Sequence, residues 1–115
     1  MFGHINNAIY YSLMDDAINA HLINRGCGIE YPRFVAENSM RYLCPLKPFL
    51  SVDVGIRVVK LSSRSVTYDV GFFQQDSVEM AARGKFVHVY VDAKSHRPIP
   101  IAAPAREVLE EILAS

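Results

Sequence analysis

Between Asn7 and about Ile23 the chain is apolar except at Ser12, Asp15, Asp16 and Asn19, polar positions three to four apart that draw one narrow stripe along a helix. The spacing predicts a mostly buried helix of about 17 residues, ~25 Å long and enough to cross a sheet of several strands. Asn6 or Asn7 can cap its first turn, and Gly26 or Gly28 can end it in a left-handed conformation. After Pro32 the period falls to two. A strand is predicted from about Phe34 to Leu43, ending before the turn-rich Cys44-Pro45-Leu46-Lys47-Pro48. From Ser51 to Leu61, Val52, Val54, Ile56 and Val58 share one face while Asp53, Gly55 and Arg57 share the other. Ser62-Ser63-Arg64 is short enough for a hairpin into a strand with Val66, Tyr68, Val70 and Phe72 on one face, and Gln75-Asp76-Ser77 forms the next turn. A strand from Glu79 to Val91 sets Arg83 and Lys85 beside Val87, Val89 and Val91, with Phe86, His88 and Tyr90 opposite. Three long strands joined by short turns predict an antiparallel meander. Beyond the extended Arg97-Pro98-Ile99-Pro100, Pro104 opens a short helix reaching about Leu113.

The predicted plan is α+β: a long central helix wrapped by an antiparallel sheet, with a short terminal helix. The 115 residues, half of them hydrophobic, fit a single domain, 1–115. Twelve basic and twelve acidic residues cancel, which leaves no broad positive field for nucleic acid and no polybasic run for a membrane surface. No apolar stretch approaches the roughly 20 residues of a membrane span, and no secretory signal opens the chain, so a cytoplasmic location is expected. Cys27 and Cys44 have neither metal-ligand spacing nor disulfide density and read as free packing thiols. His21, His88 and His96 lack metal-ligand spacing, so neither metal nor cofactor is expected.

The chemistry concentrates at the start of the long helix, where Gly3-His4-Ile5-Asn6-Asn7 stands. A helix start carries unpartnered N–H groups and a partial positive charge, which suits an oxygen that becomes negative during reaction. The N–H groups of Ile5, Asn6 and Asn7 are the candidate donors, and His4 can orient a water or serve as acid or base. The order Phe2-Gly3-His4-Ile5-Asn6-Asn7-Ala8-x-Tyr10 resembles the GHVNNxxY signature of the hotdog-fold thioesterases, in particular the 4-hydroxybenzoyl-CoA thioesterase-like family. Tyr42, Pro45 and Leu46, the Val89-x-Val91-Asp92 stretch and the Arg97-Pro98 region extend the resemblance along nearly the whole chain. In that family a strand ending in Asp-x-Asp precedes Gly-His. Here Met1 falls inside the motif, so the resemblance implies a shortened form with the first strand and its aspartates missing.

The resemblance implies hydrolysis of an acyl-CoA or acyl-carrier-protein thioester by a homodimer or homotetramer with its sites at the dimer interface. It assigns Asp16 as a reserve base, since one branch of the family uses a helical carboxylate, with Asp15 beside it. Tyr10 and Tyr11 are candidates to line the acyl tunnel, and Arg83 and Lys85 to hold CoA phosphates. Each has a plainer reading: helix caps for Asn6 and Asn7, core packing for the tyrosines, a solvated face for the charged residues. The alternatives to hydrolysis are a non-catalytic acyl-ligand binding or regulatory module and, less favoured, a dehydratase or hydratase.

Overall fold

The computed structural model describes residues 7–44, 51–75 and 77–114. Helix α1 spans Asn7–Asn24, and strands β1 Arg33–Tyr42, β2 Val52–Leu61, β3 Ser65–Gln74 and β4 Met80–Tyr90 precede helix α2 Ala103–Glu110. The strands form one antiparallel sheet in the order β1-β4-β3-β2. The meander is therefore β2-β3-β4, and β1 comes back to pair with β4 at the far edge.

Local chemistry sets the ends of α1. Gly26 adopts a φ of 75°, which a Cβ would disfavour. Its N–H reaches Ile23 O at 3.0 Å while Cys27 N–H reaches Leu22 O at 2.8 Å, the paired bonds of a Schellman cap. Arg33 then ties the returning loop down by donating to Gly28 O and Tyr31 O, each at 3.1 Å, and to Asn19 Oδ1 on α1. The Ser62-Ser63-Arg64 turn closes with Ser62 N–H on Ser65 O at 2.9 Å. At the opposite end, Arg25 pairs with Glu111 and links the ends of the two helices.

Tyr10, Met14, Ile18 and Leu22, four residues apart, form the buried face of α1. They lie against the inward faces of the strands, including Val58, Tyr68, Val70, Phe72 and Phe86. The helix crosses the sheet over Gly84, where an added Cβ would collide with Met14 Sδ. α2 contributes Ala105, Val108 and Leu109 to the same core. The segment after it pairs with β2, Val58 N–H donating to Ile112 O and Ala114 N–H to Val58 O.

Two burial expectations are corrected. The helix is buried along one face only: Ile9, Asp16, Ala20 and Ile23 are exposed. β1 is open along most of its length, with Phe34, Val35 and Tyr42 exposed and Met40 half-buried against the core. The reason is geometric. A helix apolar nearly all round can give a single sheet only one stripe, and β1, at the sheet edge, runs past the helix that would cover it.

Candidate functional site

α1 begins at Asn7, so the opening cluster is joined to the helix at the end where N–H groups lack intrahelical partners. Gly3, His4, Ile5 and Asn6, and the side chain of Asn7, lie outside the described residues. The position of that helix start is set by Tyr10. Its ring lies edge-on to Tyr42 of β1 and Phe72 of β3, with both centroids at 5.1 Å, and burial raises its phenol pKa above the usual range. Tyr10 is therefore a core anchor, while Tyr11 is half-buried against the same core. Asp16 is exposed on the free face of the helix, and Asp15 is half-buried.

Asp15 and Asn19 instead line a cavity of about 410 Å³ between the second half of α1 and the start of β1, together with Tyr31, Arg33, His88 and His96. Apolar walls come from Ile29, Pro32, Val35 and Val91. On the same lining the Phe34 and His96 rings meet edge to face at 5.8 Å. His88 is only 2% exposed, held between the rings of Phe86 and Tyr68 at 5.0 and 5.9 Å. Burial, assisted by the nearby Arg33 charge, lowers its pKa to about 4 and keeps the imidazole neutral. Among the described residues, Arg33 Nε and His88 Nδ1 have no hydrogen-bond partner, nor do the buried hydroxyls of Tyr68 and Tyr90. This cavity was missed in the sequence. The available signal was an imidazole at an inward strand position between Phe86 and Tyr90.

Arg83 and Lys85 sit on the other face of the sheet, away from α1. Arg83 donates to both Asp69 oxygens at 2.8 and 2.9 Å, Arg57 donates to Asp69 Oδ2 at 2.9 Å, and Lys85 pairs with Glu37 at 3.3 Å. The Arg83 hydrogen bond, with a lesser one from Arg57, holds the Asp69 carboxyl below the usual carboxylate range. A groove of about 640 Å³ runs along this face, lined by Ser39, Arg41, Thr67, Asp69, Arg83 and Lys85. The single chain thus does not bring the basic pair to the helix start. The described residues hold no cluster of metal-ligating side chains, and no described helix is long and apolar enough to cross a membrane.

A long helix laid across a four-stranded antiparallel sheet, with a motif-bearing helix start, defines the α+β hotdog class. Residues 1–112 match the family model described as the thioesterase-like superfamily, and the chain belongs to that family. It is 34% identical to the PA5185 protein of Pseudomonas aeruginosa strain PAO1, whose crystal structure superposes with a TM-score of 0.91 over 100% of this chain and 83% of that one. A thioesterase from Thermus thermophilus, solved with coenzyme A and Zn, is 29% identical with a TM-score of 0.80, over 96% of this chain and 82% of that one. Slr0204, a 1,4-dihydroxy-2-naphthoyl-CoA thioesterase from Synechocystis, shares the fold at 14% identity, with a TM-score of 0.84 over 96% of this chain and 85% of that one. No curated protein matches the chain.

Proposed function

We propose that this protein is a cytoplasmic thioesterase that hydrolyses acyl-CoA, or the same acyl group on a carrier protein, at the start of α1. The observation that carries the reading is the coincidence of the Gly3-His4-Ile5-Asn6-Asn7 motif with the first residue of a helix anchored on the sheet by Tyr10. Water adds to the thioester carbonyl carbon and the carbonyl oxygen takes the negative charge. N–H donors at Ile5, Asn6 and Asn7 stabilise it, each removed donor costing about 3 kcal/mol in enzymes of known mechanism. The carbon–sulfur bond then breaks, leaving the acid and a thiolate that is protonated to the thiol. His4 orients and deprotonates the water, and Asp16 is the reserve base. Arg83 and Lys85 remain candidates for CoA phosphates if the anion displaces Asp69 and Glu37 from them.

In this reading the working unit is a homodimer, and pairing two dimers gives a tetramer. β1 is the strand that joins the copies: it is an edge strand exposed along most of its length, with Phe34, Val35 and Tyr42 as its exposed apolar residues. Centred antiparallel self-pairing sets Tyr42 opposite the partner's Arg33. The helix start of one protomer, which rests on Tyr42 through Tyr10, then faces the cavity of the other.

The test is thiol release from a panel of acyl-CoAs by the wild type, by His4→Ala and by Asn7→Ala. His4→Ala should slow turnover about 100-fold or more, the contribution of a general base, while Asn7→Ala keeps its backbone N–H and should slow it less, through loss of a helix cap. Unchanged rates in both would take the opening cluster out of the mechanism.

A further inference from the structure

Tyr10, an expected wall of the acyl channel, is only 3% exposed and cannot offer its ring to a substrate. What it does is fix a second ring in place. Tyr42 lies edge-on to it, with centroids 5.1 Å apart and planes at 71°. Tyr42 follows Asn38 and Met40 on the inward face of β1, the face that α1 covers. Met40 packs against the core, whereas Tyr42, at the end of the strand, keeps 48% of its surface open. That strand end is held to β4, because the N–H groups of Leu43 and Cys44 both donate to Ala81 O, at 2.9 and 3.1 Å. Tyr10 stands three residues, ~4.5 Å along the axis, beyond Asn7, so the open ring of Tyr42 borders the first turn of α1.

A thioester whose carbonyl oxygen is held at that helix start must lay its first acyl carbons on some neighbouring surface. The Tyr42 ring is apolar across its faces and is already fixed by packing, so methylenes gain contact with it at little cost in side-chain freedom. We propose that Tyr42 is a specificity-determining residue, and that its exposed ring is the surface on which the methylenes next to the thioester carbonyl rest, so that straight-chain acyl groups are used in preference to acetyl. The inference rests on the thioesterase reading, and it holds within one protomer. In the β1 pairing proposed above, the strand end that carries Tyr42 lies beside the partner's cavity, which gives longer chains room beyond the ring.

The experiment compares butanoyl-CoA with acetyl-CoA as substrates of the full chain, reading kcat/KM from released thiol. Burying one methylene is worth about fourfold, so the two extra methylenes of the butanoyl group should give the wild type a preference of about tenfold. Tyr42→Phe should keep that ratio and Tyr42→Ala should bring it towards one. A loss that is merely structural would slow both thioesters alike, so Tyr42→Ala with an unchanged ratio overturns the proposal. Equal use of the two substrates by the wild type overturns it as well and leaves the thioesterase reading standing, and a ratio lost in Tyr42→Phe overturns it because the ring is then not the cause. The chain contains no Trp, so Tyr42→Trp gives it a single fluorophore at the proposed contact. Its emission should shift with the non-hydrolysable thioether S-butyl-CoA and not with CoA, and a shift with neither or with both overturns the contact. This measurement decides the proposal if Tyr42→Ala does not fold or if neither thioester is hydrolysed. Failure of the thioesterase reading itself is seen separately, as no thiol released from any acyl-CoA of the panel.

Discussion

His88 is the residue whose environment departs most from what its side chain prefers. In the unfolded chain an imidazole titrates near 6.5, whereas burial and Arg33 hold the folded value at about 4. Between those values the unfolded state takes up a proton that the folded state refuses. Stability therefore falls as pH drops from about 6.5 to about 4, by a total on the order of 3 kcal/mol, and His88 contributes no pH dependence above that window. Urea midpoints measured from pH 4 to 7 should show the decline, and His88→Phe should flatten it. A wild-type midpoint constant through the window would mean that His88 takes up its proton as readily in the folded protein as in the unfolded chain. The residue was legible in the sequence as inward-facing, because Phe86, His88 and Tyr90 alternate with Lys85, Val87 and Val89. Its partners were not. Arg33 lies 55 positions away and reaches the same cavity only because β1 pairs with β4, with Val35 set against His88.

At the scale of elements, the sequence located all four strands and both helices because each strong signal was local: an apolar run ended by Gly26, alternation broken at Ser62-Ser63-Arg64, and Pro104 opening α2. Burial was harder to read, because it depends on what covers an element. The alternating residues of β1 look like a half-buried strand, but its inward positions Val35, Asn38 and Tyr42 are exposed in the single chain. The crossing point of α1 was also hidden. Gly84 gives no turn signal and lies in mid-strand opposite Met40 and Val70, where its missing side chain makes room for Met14. Gly84→Ala should therefore cost about 1–3 kcal/mol, the usual penalty for overpacking a filled core, less whatever the flexible methionine can yield. Chemical denaturation would measure this. Shortening the side chain in a Met14→Ala background should recover part of the loss, and a Gly84→Ala variant as stable as the wild type would show that α1 does not press on the sheet there.

For the whole molecule, the question is how two features of one chain can serve one reaction when they lie at opposite ends of a helix. The motif joins α1 at Asn7, and the polar cavity lies beside Asn19. In the proposed dimer this is resolved, because a two-fold axis near the centre of β1 turns the far end of one protomer towards the near end of the other. β1 has ten residues, enough for a contact about 33 Å long, with Phe34, Val35 and Tyr42 already exposed on it. The protein should then run at twice its 12.9 kDa chain mass, or four times if dimers pair, in light scattering coupled to gel filtration. Asn38→Glu puts a charge at the centre of the shared edge, opposite the partner's Glu37 in this pairing, without touching the core or either cavity, since Asn38 is exposed and lines neither. It should shift the protein to monomer and lower thioesterase turnover in parallel, with rising protein concentration restoring both. An Asn38→Glu monomer with wild-type turnover would show that one chain holds a complete site.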